Sequence, residues 1–400
     1  MEAVDQIWRF VIGKFGQEIG LAILTILGLA VAKYALLLFQ SLWCFVTSRQ
    51  RALGAVARKR SREGVKEGQG VWVTHPIEQP DDYKRNTTAS KILAVANLKG
   101  GVGKTTLAAN IGAYLTSDPA WQKRVLLVDL DYQGSLSSMA LADSERWLPP
   151  PGQDSTATRA ISGDLEPSIF VQCTKATTQE PKLQIATAHY DLAQADNRLL
   201  IEWLLKCRRR KSGRISRHLA DVAHGQFFRR QDVRYNLADL LQSDAVRDAF
   251  DLVIIDCPPR LTTGTIQALC ASSHLLIPTI LDRPSSEAVL AFCEQVEQLK
   301  KANICPHIVL LGIVATKYRE QYLVGSQALQ RLEDEIKARA LNVKMLNKNT
   351  YIPQRVALVE EAEQGIAYLV MGNEDGASSI RQAVASLSTH VAVQMGVPRN

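Results

Sequence analysis

From residue 91 to about residue 370, short unbroken apolar runs alternate with segments whose apolar residues recur at helical spacing. Ile92-Leu93-Ala94-Val95-Ala96, Val125-Leu126-Leu127-Val128 and Leu252-Val253-Ile254-Ile255 are such runs. They lack the in–out alternation of a half-exposed strand and suit strands buried on both faces of a parallel sheet. LAANIGAYL at 107–115 and SSIRQAVASLSTHVAVQ at 378–394 read as helices, the second packed on the outside. The alternation predicts an α/β fold, a mostly parallel sheet flanked by helices on both faces, in one domain over 91–400.

A different pattern precedes it. Residues 19–46, IGLAILTILGLAVAKYALLLFQSLWCFV, are almost continuously apolar. A helix of that length spans roughly 42 Å, more than the ~30 Å of bilayer hydrocarbon. A central Lys33 costs about 2.5–3.5 kcal/mol, while fifteen Leu, Ile, Val and Phe residues contribute about −4.5 to −9 kcal/mol, so insertion wins. Before the segment Glu2, Asp5 and Glu18 stand against Arg9 and Lys14, whereas Arg49, Arg51, Arg58, Lys59, Arg60 and Arg62 follow it with no acid among them. The positive-inside rule then predicts an N-terminal transmembrane anchor over 1–48, single-pass in the cell inner membrane, with the body in the cytoplasm. A helix lying on the membrane surface and a cleaved signal peptide ending near Ala30-Val31-Ala32 are the rivals, the second opposed by the apolar sequence beyond that point. The basic run 49–62 is an orientation signal or a contact for anionic lipid, and 63–90 is polar, the composition of a tether; together 49–90 form the linker.

Charge sharpens the picture. The net charge of +7 conceals +6 over 49–62 and +8 over 206–234, leaving −7 for the remainder. The second stretch, with Arg208-Arg209-Arg210-Lys211, is too dense in charge for a buried face. It reads as a solvated excursion, a phosphate-contacting surface for nucleic acid, or a site for anionic lipid or an acidic protein partner. Seven scattered cysteines form no C-x-x-C pair and no Cys/His cluster, which excludes a zinc site or disulfide framework on pattern and fits small buried thiols in a reducing compartment.

The candidate chemistry follows the first strand. Lys99, Gly100, Gly101, Val102, Gly103, Lys104, Thr105 and Thr106 lie between that strand and the helix at 107–115. Strand, Gly-rich turn and helix start are what a phosphate-binding loop requires. The glycines let backbone N–H groups approach phosphates, Lys104 can reach the β- and γ-phosphates of ATP, and the Thr105 hydroxyl can ligate Mg²⁺. The strict consensus wants glycine at position 98, where this chain has Leu98.

KGGVGKTT resembles the deviant Walker A motif of the ParA/MinD family, and two further motifs follow in the family's order. The resemblance implies that Lys99 is the signature lysine, reaching across an ATP-bound homodimer to the partner's phosphates. Asp129-Leu130-Asp131-Tyr132-Gln133-Gly134 is similar to the family's D-x-D-P-Q-G segment, with Tyr132 in place of proline. It implies that Asp131 positions the attacking water and that Asp129 supports the Mg²⁺ and water network. Asp251 to Pro259 resembles the Walker B strand, with Asp256 acting on Mg²⁺ through water. More loosely, 183–186 with the following DLAQADNRLL, 274–278 and 308–316 are similar to further core elements. Thr316 falls near the family's adenine site, and Tyr351-Ile352-Pro353 resembles the loop over the base. The resemblance covers roughly 91–370.

The function it implies is an ATP-switched dimer whose hydrolysis a partner protein stimulates, serving partition, positioning or regulation. A membrane-tethered bacterial tyrosine kinase is a different class, opposed by Lys99 and by a tail without tyrosine after Tyr368. A nucleotide-regulated scaffold with little hydrolysis is a third.

Overall fold

The computed structural model describes residues 90–142, 147–206, 232–318, 323–354, 364–371 and 375–400, with Trp72, Tyr83 and positions 6, 9, 10, 13, 16, 29, 32–37 and 39 before them. The chain divides into two compact units, Met1–Gly68 and Gln69–Asn400. The second holds a seven-stranded sheet. Along it run β1 (Ile92–Val95), α1 (Lys104–Ser117), β2 (Val125–Asp129), α2 (Ser135–Leu141), α3 (Thr156–Ser162), α4 (Pro167–Cys173), β3 (Lys175–Ala176), β4 (Leu183–Ala186) and α5 (Asp191–Lys206). There follow α6 (Asn236–Leu241), α7 (Asp244–Ala249), β5 (Leu252–Asp256), α8 (Thr263–Ala271), β6 (His274–Thr279), α9 (Arg283–Lys301), β7 (Val309–Ala315), α10 (Leu323–Ala338), α11 (Ala367–Val370) and α12 (Asp375–Gln394).

The strand order is β3-β4-β2-β5-β1-β6-β7. Every neighbouring pair is parallel except the short edge pair β3/β4. Leaving β1, the chain crosses to β2 and later returns to lay β5 between them. This is a topological switch point, and in open α/β sheets ligands bind outside the carboxyl ends at such places. Register makes it concrete: Val95 and Asp129 both pair with Asp256, so three strand ends meet on one edge.

Successive strand residues serve opposite faces. Leu93, Val95, Leu127 and Ile254 join the side chains of α1 and α12 in one buried cluster. Ile92, Ala94, Leu126, Val128, Val253 and Ile255 join those of α5, α8 and α9 in the other. Both faces are therefore covered, which is why the strands read as unbroken apolar runs. Helix α1 lies close on the sheet because residue 112 has no side chain: a Cβ on Gly112 would stand 3.0 Å from Leu127 and 3.1 Å from Leu183.

Two residues of the polar stretch 63–90 are docked in the core. Trp72 and Tyr83 are each 3% exposed. Trp72 packs on Trp203 at 4.8 Å between ring centroids, and its carbonyl accepts a hydrogen bond of 2.9 Å from Arg234 Nη1. That guanidinium is wholly buried, lies 5.4 Å from the Trp203 ring centre, and is paired with Asp232. The Tyr83 hydroxyl donates to the Cys270 carbonyl at 2.9 Å, and its ring meets Tyr235 edge-on. Spacing alone cannot distinguish such isolated anchors from linker aromatics, because neither belongs to a periodic run.

The membrane placement expected for 19–46 is corrected. Among the described residues no helix is long and apolar enough to cross a membrane. Leu29, 32–37 and Phe39 are the residues of that stretch the structure describes, all helical, and they are too few to make such a span. The rest of 19–46 lies outside the described residues, as do 207–231 of the basic stretch. The five described cysteines carry no disulfide, and Cys257, Cys270, Cys293 and Cys305 are buried. Burial pushes the Cys293 and Cys305 thiols up to about 12, so they are inert apolar packing.

If Trp72 is a core residue, Trp72→Ala lowers the unfolding free energy by about 3–5 kcal/mol, read as an earlier urea midpoint. An unchanged midpoint means the docked tryptophan contributes nothing.

Candidate functional site

The site begins where β1 ends. Asn97 is buried; its Nδ2 donates to the Pro278 carbonyl at 2.7 Å, and its Oδ1 accepts from the Lys99 backbone N–H at 3.2 Å. One amide thus ties the entrance of the Gly-rich loop to β6. The loop then turns through two left-handed positions, Gly101 at φ +72 and Gly103 at φ +84. Side chains are strained in that region, so glycine is required there by backbone geometry. The Gly103 carbonyl accepts the Leu107 N–H at 2.9 Å and starts α1. Val102 is buried beneath the loop.

Lys104, the first residue of α1, is almost completely buried, and its Nζ donates to the Lys99 carbonyl at 3.1 Å. Burial lowers its pKa, opposed by the charges of Asp256, Cys257 and Asp131. The lysine is therefore a desolvated cation held beside two carboxylates. Lys99 points elsewhere. Its Nζ lies 3.0 and 3.2 Å from the two Asp282 carboxylate oxygens and 2.6 Å from the Ser285 hydroxyl.

The carboxylates differ in role. Asp129, fully buried, accepts the Asp131 N–H at 3.0 Å on Oδ1; on Oδ2 it accepts the Ser137 N–H at 2.9 Å and the Ser137 hydroxyl at 2.7 Å. Burial pushes it up to about 6, against the pull of these hydrogen bonds. Its geometry is that of a post holding the turn that presents Asp131. That turn closes through Gly134 N–H to the Asp131 carbonyl at 2.9 Å, with Gly134 in the left-handed region at φ +65. Tyr132 occupies the turn without disturbing it, partly exposed with its ring 6.4 Å from that of Tyr190.

Asp256 is the unsatisfied member. Both carboxylate oxygens are buried without a hydrogen bond of normal geometry. Burial and the neighbouring Asp129 hold its pKa well above the usual carboxylate range, opposed by the Thr105 hydroxyl and Lys104. An orphaned buried carboxylate beside a hydroxyl and a lysine fits a hydrated divalent cation, whose water would supply the missing donors. Among the described residues no cluster of three His, Cys, Asp or Glu could hold a metal directly. The fit is thus to a cation held mainly by phosphate oxygens and water, with Thr105 and Asp256 beside it.

Thr316 is also on this edge but engaged from below. It is buried, and its hydroxyl lies 2.9 Å from the Val102 carbonyl and 3.0 Å from the Thr279 carbonyl, bracing the loop against β6 and β7. Pro353 pairs with Tyr318 just past β7, and Ile352 N–H donates to the Ala315 carbonyl at 2.9 Å, so the 351–353 segment extends that strand's edge. A cavity of about 330 Å³ opens beside Asp131, walled by Tyr132, Leu192, Asp196, Pro259 and Arg260. Asn97, Ser137, Asp282 and Ser285 were not among the sequence candidates. Only Ser137, close after Asp129 in a helix start, carried a local signal.

Residues 93–368 match the family described as the CobQ/CobB/MinD/ParA nucleotide binding domain. The sporulation initiation inhibitor protein Soj of Bacillus subtilis is 29% identical over 69% of this chain and 88% of its own length. The chromosome partitioning protein ParA of Caulobacter vibrioides is 27% identical over 59% of this chain and 73% of its own. Among solved structures, cobyrinic acid a,c-diamide synthase of Mycobacterium smegmatis, with a bound ATP analog and magnesium, is 27% identical. The likeness spans 78% of this chain and 98% of that one at a TM-score of 0.54. McdA of Cyanothece, an ATP complex at 18% identity and a TM-score of 0.55 over 76% and 96% of the chains, shares the fold.

If Ser137 holds Asp129, Ser137→Ala destabilises the protein by about 1–3 kcal/mol at pH 7. The hydrogen bonds favour the charged carboxylate, so the loss shrinks as pH falls below about 6 and Asp129 takes its proton in both proteins. Urea titrations at pH 7.5 and 5 measure this; a loss that grows on acidification would contradict the assignment.

Proposed function

The chain belongs to the CobQ/CobB/MinD/ParA nucleotide-binding family, and on that premise we propose that it binds Mg-ATP in the 99–106 loop and hydrolyses it, using the ATP state to pair two copies. One observation carries the reading. Lys104, Thr105, Asp131 and Asp256 converge at the carboxyl ends of β1, β2 and β5, where their charges act on one another.

The backbone of Gly100, Gly101, Val102 and Gly103, with the start of α1 at Lys104 to Thr106, supplies N–H groups and a positive helix end for phosphate oxygens. Lys104 neutralises charge at the β- and γ-phosphates, and the Thr105 hydroxyl is a metal ligand, with Asp256 and, further back, Asp129 acting through water. The magnesium ion supplies charge neutralisation between the phosphates when bound. Asp131, half-buried at the cavity beside the loop, orients and deprotonates the attacking water. Its placement depends on Asp129, which explains why the second carboxylate is buried rather than open. Lys99 reaches the partner's nucleotide in the paired state. Thr316 braces the loop, and Pro353 borders the base from the far side of β7.

Phosphoryl transfer needs positioning and charge neutralisation more than covalent help. With the water held by a single carboxylate, turnover is slow until a partner protein orders the site further. The similarity to partition and sporulation proteins supports a switch that positions or regulates another component.

Asp131→Ala should lower ATP turnover at least tenfold while leaving nucleotide binding and ATP-dependent pairing intact. Lys104→Ala should lose both. Purified protein, assayed for phosphate release and by sedimentation with ATP and Mg²⁺, distinguishes them. Unchanged turnover in both variants would end the hydrolase reading.

A further inference from the structure

Lys99 is engaged by groups from a distant part of the chain. An ammonium has three hydrogens, and three acceptors, both Asp282 oxygens and the Ser285 hydroxyl, lie within 3.2 Å of it. Asp282 is the N-cap of α9, and its Oδ1 also accepts the Ser285 N–H at 2.7 Å. The lysine side chain is 29% exposed and that of Asp282 44%, so the pair stands at the rim of the site, within reach of an incoming molecule. Ser285 is fully buried and fixes the far side of the contact.

We propose that Asp282 and Ser285 form a clasp that withholds Lys99 from a second copy of the chain, and that its opening sets how much ATP is needed for pairing. The inference rests on the function proposed above, in which Lys99 crosses to the partner's phosphates. A lysine cannot serve Asp282 and a phosphate oxygen of another subunit together, so pairing must break the clasp twice, once per protomer.

The loop also links the clasp to the nucleotide. Lys104 donates to the carbonyl of Lys99 itself. A phosphate that draws the Lys104 ammonium away releases that carbonyl, and with it the backbone that aims Lys99 at Asp282. The Asn97 contact to the Lys99 N–H keeps the residue anchored on its other side. Nucleotide arrival at one lysine is thereby felt by the other within a single protomer, before a partner is met.

Exposed ion pairs contribute modestly, about a two- to fivefold change in equilibrium per pair. Two clasps opened in a symmetric dimer multiply to roughly four- to twenty-five-fold.

The test uses the full chain with ATP and Mg²⁺, in the Asp131→Ala background so that nucleotide persists. Asp282→Asn removes the charge but keeps a good N-cap, so the helix start survives. Because the dimer takes up two ATP, sedimentation across an ATP series should show Asp282→Asn pairing at ATP concentrations lower by the square root of that factor, about two- to fivefold, and Ser285→Ala lower by less. Nucleotide affinity of the monomer, measured with ADP, should be unchanged by either. Lys99→Ala combined with Asp282→Asn should show no gain over Lys99→Ala alone. If the Asp131→Ala protein pairs on ATP and Asp282→Asn pairs no more readily, the clasp is wrong and the ATP switch stands. If neither protein pairs at any ATP concentration although both bind nucleotide, the dimer reading and the clasp fall together. If only Asp282→Asn pairs, the clasp is upheld in its strongest form.

Discussion

Everything at the carboxyl edge of this sheet depends on a register constraint: Asp129 at the end of β2 and Asp256 at the end of β5 are paired neighbours, both out of water. Two buried carboxylates side by side are unfavourable as a pair of anions, and desolvation compounds the repulsion. The protein relieves this in two ways. Asp129 is given three hydrogen-bond donors from the turn and from Ser137. Asp256 is given the Thr105 hydroxyl and the Lys104 charge as neighbours, but no hydrogen bond of normal geometry. The asymmetry turns one carboxylate into a structural post and leaves the other ready for a cation. The same two residues, exchanged in their surroundings, would exchange these parts.

The parallel sheet makes that asymmetry possible. In parallel strands all carboxyl ends point one way, so the loops after β1, β2 and β5 are delivered to one place without any long-range specification of side chains. The Gly-rich loop, the Asp131 turn and the end of β5 are far apart in sequence, yet each needs only to follow its own strand. Strand interiors then carry no chemistry and are free to be apolar throughout.

Much of this was legible in the sequence because strand ends are. The apolar runs at 92–95, 125–128 and 252–255 coincide with β1, β2 and β5, and the terminal helix appears as α12. The loop residues 99–106 lie at the edge their order implied, since a strand, turn and helix start constrain one another locally. What escaped has a common cause. Asp282 meets Lys99 across 183 positions, and Trp72 meets Arg234 across 162. Contacts of that range leave no periodicity, and an aspartate at a helix cap looks the same whether or not a lysine leans on it. The membrane placement is corrected on other grounds: composition measures how apolar a stretch is, and among the described residues no helix is long and apolar enough to cross a membrane.

Trp72 touches the chain on either side of the basic stretch, stacking on Trp203 where α5 nears its end and accepting from Arg234 just before α6. Trp203 and Arg234, on either side of the basic stretch, are thus held on one indole residue. Lengthening a chain whose ends are already held together is thermodynamically mild, about 0.6 kcal/mol for each doubling. A change in the length or charge of the sequence between Trp203 and Arg234 is therefore a mild one for a body that already holds both of those residues on Trp72, as a graft is exchanged on a stock.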